Sequence, residues 1–160
     1  MSNKNGEITV EELAPRQVVC SRVISQTPEE DVMQAVEKWI TSRGLKMEGR
    51  RTFGFDVPVS PAEAAKGLRG YEYGIEIKPE EYAEGSLSTR IYGGGLYAVT
   101  RVVNAFEAPF QTIPAGWRNL IGWAQNNPEL QVQYETCYEE VVPGEKGMDL
   151  ILYLSVKKKD

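Results

Sequence analysis

Val18-Val19-Cys20-Ser21-Arg22-Val23 and Tyr97-Ala98-Val99-Thr100-Arg101-Val102 decide the reading of this chain. Both are rich in β-branched and apolar residues, and both place arginine fifth, the two arginines standing 79 positions apart. The same order of elements follows each. After the first, Thr27-Pro28-Glu29-Glu30 predicts a helix start, with Thr27 as cap, Pro28 at the first helical position and Glu30 closing a capping box. Val32, Val36, Trp39 and Ile40 then recur at helical spacing, and Gly44 is a natural stop. Arg51 to Val57 and Gly70 to Ile77 alternate with period two and read as strands. Between them Ser60-Pro61-Ala62-Glu63 opens a helix that Gly67 limits to a turn or two. After the second stretch a helix is expected from near Pro114, with Ile113, Trp117, Leu120, Ile121 and Ala124 on one face, ending at Asn126-Asn127-Pro128. Strands over 131–142 and 148–157 close this half, joined by Pro143-Gly144-Glu145-Lys146-Gly147.

Each half is thus strand, helix, strand, strand. Trp39 and Trp123 lie 84 positions apart and Gly70 and Gly147 lie 77 apart, so the register drifts little. The competing account is coincidence between two ordinary halves. The expected fold is α+β: one domain over 1–160 with an internal repeat, 7–80 and 86–157. Two βαββ units related by a pseudo-twofold axis would form an antiparallel sheet, with helices on one face and a ligand groove between the halves.

Composition narrows the chemistry. The chain has no histidine, which excludes Ser-His-Asp and Cys-His nucleophilic sites, proximal-His haem and nearly all catalytic zinc sites. Two cysteines, Cys20 and Cys137, are too few for a thiolate zinc site or a disulfide scaffold, so no metal and no cofactor is expected. A net charge of -5 has the wrong sign for a nucleic-acid partner. With no signal-like leader and no long apolar run, no membrane association is expected, and the cytoplasm is the default location. The Lys157-Lys158-Lys159 tail reads as a solvated end. Gly93-Gly94-Gly95 is followed by a strand and lacks Gly-Lys-Ser/Thr, so it reads as a bulge or bent strand entry and not as a phosphate loop.

Catalysis, if present, falls to carboxylates, tyrosines or lysines. In Tyr134 to Val141, alternation puts Tyr134, Thr136 and Tyr138 on one face and Glu135, Cys137, Glu139 and Val141 on the other. A carboxylate between Cys137 and Val141 is either desolvated, paired with a cation, or on the wet face of an edge strand. Glu135 and Glu139 stand roughly 13 Å apart along a strand, too far for a glycosidase pair. Phe53, Phe55, Tyr71, Tyr73, Tyr92, Tyr97 and Trp117 fall on the elements expected to border the groove between the halves. Most are expected in the core; a subset around a carboxylate would receive a flat cationic or polarised ligand.

Four segments carry a family resemblance: Gly67-Leu68-Arg69-Gly70-Tyr71-Glu72, Gly94-Gly95-Leu96-Tyr97-Ala98-Val99, Ile113 to Trp123, and Cys137-Tyr138-Glu139-Glu140 leading to Leu152-Tyr153-Leu154-Ser155-Val156. In this order they resemble the GyrI-like small-molecule-binding family, related to the effector-binding domains of AraC-type and multidrug-sensing regulators. The resemblance implies a standalone member of two βαββ units in which Glu139, after Tyr138, faces the ligand groove. Val141 stands where the family often has an aromatic. Some similar standalone members hydrolyse cyclopropane-bearing genotoxic compounds. By that analogy Glu139 would orient or deprotonate water and Tyr97 or Tyr71 would stabilise the developing phenolate, with Trp117, Phe55, Tyr71 and Tyr92 holding the ligand. The alternatives are a non-catalytic module for cationic or amphipathic drugs and, ranked last, an inhibitor of a larger enzyme such as gyrase. The expected partner is an aromatic, cationic or electrophilic small molecule, and the expected state is monomer or homodimer.

Overall fold

The computed structural model describes residues 6–134 and 137–160. In chain order the elements are β1 (Ile8–Leu13), β2 (Arg16–Ser25), α1 (Pro28–Ser42), β3 (Thr52–Val57), α2 (Pro61–Ala65), β4 (Arg69–Glu76), β5 (Ser88–Tyr92), β6 (Gly95–Val102), α3 (Pro109–Gln125), β7 (Leu130–Val132), β8 (Tyr138–Pro143) and β9 (Met148–Lys158). The fold is α+β with antiparallel strands, and the chain divides into two compact units. Residues 16–92 form a central unit; residues up to 15 together with 93–160 form a terminal unit.

In the central unit the strands run β3-β4-β2-β5, with α1 packed on β2 and β4. In the terminal unit they run β1-β6-β9-β8, β7 adds to β9, and α3 packs on β6, β7 and β9. The strand before each long helix therefore lies beside the last strand of its own unit, and the third strand lies beyond it. Each unit also gains one outer strand. The central unit takes β5, which follows it in the chain; the terminal unit takes β1, which the sequence places at the head of the first repeat.

Pleating sorts the side chains. In the central unit Val19, Tyr71, Tyr73 and Ile75 meet Val32, Val36, Trp39 and Ile40 of α1 in one buried cluster. In the terminal unit Ala98, Val102, Leu150, Leu152, Leu154 and Val156 meet Leu120 and Ala124 of α3. Intervening residues point to the opposite, helix-free face of each sheet. Gly116 lets α3 lie close, because a Cβ there would sit 2.7 Å from Val102 Cγ2 and 3.2 Å from Leu152 Cδ1.

Local signals resolve in four ways. The capping box at Ser60 forms as expected, its hydroxyl accepting from Glu63 N at 3.1 Å while Glu63 accepts from Ser60 N at 2.8 Å. Thr27 is the N-cap of α1 but makes no side-chain cap bond; its hydroxyl donates to Asp31, which also takes the Ser25 hydroxyl. The Thr27 N–H, which a capping box would give to Glu30, donates instead to the Ser25 hydroxyl oxygen at 3.1 Å. The third helix starts at Pro109, so Pro114 lies inside it. The strand expected over 131–142 is split into β7 and β8, and Glu135 and Thr136 lie outside the described residues.

Candidate functional site

Six side chains were candidates from sequence: Glu139, Tyr97, Tyr71, Trp117, Phe55 and Tyr92. The structure distributes them over both units and both faces.

On the helix-bearing face of the terminal unit, Glu139 lies opposite Leu152 and Val141 opposite Leu150. Cys137 and Val141 pack against the α3 core beside Trp117, so the carboxylate stands between two apolar neighbours. Burial pushes the Cys137 thiol up. Glu139 is half-buried, and Trp117 Nε1 donates to its Oε2 at 3.1 Å. A helix and a strand thus bring an indole and a carboxylate together.

Tyr97 lies on the other face of the same sheet. Its ring packs against Tyr138 at 6.0 Å and edge-on against Tyr153 at 6.1 Å. Tyr153 donates its hydroxyl to the buried Glu140 at 2.6 Å, and burial raises the Tyr97 phenol. Register explains the separation: Tyr97 faces Ser155 whereas Glu139 faces Leu152, an odd number of residues away along β9. The structure does not bring Glu139 and Tyr97 to one side.

In the central unit Tyr71 belongs to the cluster under α1. Phe55 and Tyr92 lie on the helix-free face, edge to face at 5.6 Å. Between them sits Glu72, fully buried, which takes Arg22 Nε at 2.7 Å and the Tyr92 hydroxyl at 2.8 Å. The Tyr92 hydroxyl reaches it by passing over Gly74, where a Cβ would lie 2.7 Å from that oxygen. Burial, then the Glu72 charge, pushes the Tyr92 phenol far above its usual range and the Cys20 thiol up to about 11. Sequence reading gave Glu72 and Glu140 no role. The signal available for Glu72 was its alternation with Gly70 and Gly74, opposite in phase to Tyr71 and Tyr73.

Two clefts are lined by other side chains. One of about 230 Å³ beside α3 is lined by Ile8, Thr100, Val102, Thr112 and Asn119. One of about 190 Å³ in the central unit is lined by Arg16, Arg50, Glu76 and Lys78, with Arg16 paired to Glu76 and Arg50 to Glu81. Among the described residues no three His, Cys, Asp or Glu side chains gather as a metal-binding group, and no helix is long and apolar enough to cross a membrane.

No family model and no curated protein matches the chain by sequence. Solved structures do match. The chain has the GyrI-like fold, which it shares with the EcmrR C-terminal domain and SAV2435. It is similar to EcmrR in its DNA complex, with a TM-score of 0.72 and 12% identity over 96% of this chain and 58% of that one. Against the EcmrR C-terminal domain alone the TM-score is 0.68 at 12% identity, over 96% of this chain and 98% of that one. SAV2435, solved bound to tetraphenylphosphonium, gives 0.56 at 15% identity over 94% of each. A protein from Listeria innocua described as a hydrolase gives 0.59 at 11% identity, over 97% of this chain and 94% of that one.

Proposed function

We propose that this protein binds small lipophilic cations, with Glu139 and Trp117 of the terminal unit as the recognition pair. The observation that carries this is the Trp117–Glu139 hydrogen bond within an apolar layer. A carboxylate in such surroundings attracts a cation more strongly than one in bulk water. Trp117 donates its indole N–H to the carboxylate, and an indole face is the best aromatic partner for a cation. SAV2435, which shares the fold, is bound to such a cation. The other sequence candidates are less suited: Tyr92 is committed to Glu72, Phe55 packs on Tyr92, and Tyr71 belongs to the core under α1.

A hydrolytic version of the site would open a cyclopropane conjugated to a dienone. Glu139 would take a proton from water as the water oxygen bonds to a ring carbon. The ring C–C bond would break, and its electron pair would pass to the carbonyl oxygen as a phenolate, which regains the proton. Half-burial of Glu139 and the description of the Listeria innocua relative support this version. Tyr97 lies across the sheet from Glu139, which leaves Trp117 as the donor on that face.

Calorimetric titration with tetraphenylphosphonium tests the reading. Saturable binding is expected, weakened at least about tenfold, or 1.4 kcal/mol, in Glu139→Gln. Equal affinity in wild type and variant would discard Glu139 as the recognition group. Mass spectrometry of a cyclopropane-dienone compound incubated with the protein tests hydrolysis. Turnover no faster than in buffer would remove that version and leave the binding reading intact.

A further inference from the structure

Phe110 is the second residue of α3, and its side chain is 93% exposed. A phenyl group so placed adds almost nothing to the packing of the fold, and phenylalanine is an indifferent helix former. Its place on the helix gives it another use. Phe110 and Trp117 are seven residues apart, two turns, and so project from nearly the same angle. Pro114 lies between them on that stripe, so the helix positions linking Phe110 to Trp117 at helical spacing are apolar. The stripe is roughly 10 Å long at 1.5 Å per residue. Pro114 also lacks an N–H, so the Phe110 carbonyl receives no helical bond from it and the first turn is less tightly tied.

We propose that Phe110 is a specificity-determining residue: it forms a second, apolar subsite that takes the aromatic or alkyl body of a cation held at Glu139. This rests on the reading that Glu139 and Trp117 bind the charged centre. The ligand class is thereby narrowed to cations with an apolar body about as long as the stripe, roughly 10 Å. A compact cation would meet Glu139 and Trp117 and never reach Phe110. Cover by such a ligand also removes from water the most exposed large apolar side chain among the described residues.

Titrations of wild type, Phe110→Ser, Phe110→Leu and Glu139→Gln with tetraphenylphosphonium and with compact tetraethylphosphonium test this. Phe110→Ser is expected to weaken tetraphenylphosphonium about fivefold and to leave tetraethylphosphonium within about twofold, with an unchanged melting temperature. Phe110→Leu, which keeps an apolar side chain, is expected to retain the preference for the larger cation. If Phe110→Ser leaves the ratio of the two affinities unchanged while Glu139→Gln still weakens both cations, the subsite is overturned and the Glu139 reading stands. If Glu139→Gln weakens neither cation, or wild type binds neither, the Glu139 reading fails and the subsite fails with it.

Discussion

The two units use arginine in the same way and carboxylates in different ways. Arg22 on β2 and Arg101 on β6 occupy corresponding places in the repeat. Each donates through Nε to a buried carboxylate on its own helix-free face, Glu72 at 2.7 Å and Asp149 at 2.6 Å. These are acids held by cations, with further donors from Tyr92 and the Asn104 backbone. Glu139, on the helix-bearing face of the terminal unit, accepts a hydrogen bond from the Trp117 indole. A buried acid whose charge is already matched serves the fold. Glu139, half-buried beside an indole on an apolar face, is the acid that the proposed function assigns to ligand recognition.

The largest expected effect separates these two uses. Glu72→Ala strips Arg22 and Tyr92 of their shared acceptor and is expected to cost about 3 kcal/mol in urea unfolding. Glu139→Gln keeps the shape and an acceptor for Trp117 and is expected to stay within about 1 kcal/mol of wild type. Equal losses in the two variants would break the distinction. Gly74→Ala comes next, at about 2 kcal/mol, because the new methyl displaces the Tyr92 hydroxyl from Glu72. An unchanged midpoint there would mean that Tyr92 moves aside freely.

Acid sharpens the comparison further. The Arg50 guanidinium, hydrogen-bonded to Glu81 in the central unit, lowers that carboxyl from the usual 4.5 to about 2. A pKa lower in the folded state means stability that is present above about 4.5 and lost as pH falls toward 2. Thermal unfolding of wild type should therefore weaken across that window, and Arg50→Gln should flatten the slope. A slope unchanged by the substitution would place the acid sensitivity elsewhere. The smallest effect is kinetic. Cys20, 2% exposed with its thiol at about 11, should react with iodoacetamide more slowly than the half-buried Cys137 in the folded protein. Faster labelling of Cys20 would show that the helix-free face of the central unit opens.

Much of the fold was legible because period-two and helical spacing are local properties. Val32, Val36, Trp39 and Ile40 stand on the buried side of α1, and Gly44 lies just past it in the left-handed region at φ 66°. The carboxylate between Cys137 and Val141 followed from alternation alone, and alternation holds across β8. What escaped depends on contacts distant in sequence. The partner of β1 is β6, close to ninety residues away, and no pattern within β1 announces it. Which face Tyr97 takes relative to Glu139 is set by how β6 and β8 each register against β9. The early start of α3 was hidden because two prolines, Pro109 and Pro114, compete for the first-turn position and only packing selects the first. Phe110 was missed with it, since a helix begun at Pro114 leaves that residue in a loop.

The central claim is that a cation binds at the Trp117–Glu139 pair. Its most direct test follows the indole N–H resonances of Trp39, Trp117 and Trp123 by NMR during titration with tetraphenylphosphonium, the signals assigned with single Trp→Phe variants. The Trp117 resonance is expected to shift saturably, because its N–H lies on the carboxylate that receives the ligand, while Trp39, buried in the central unit, stays in place. A saturable shift at Trp39 with Trp117 unmoved would contradict the account.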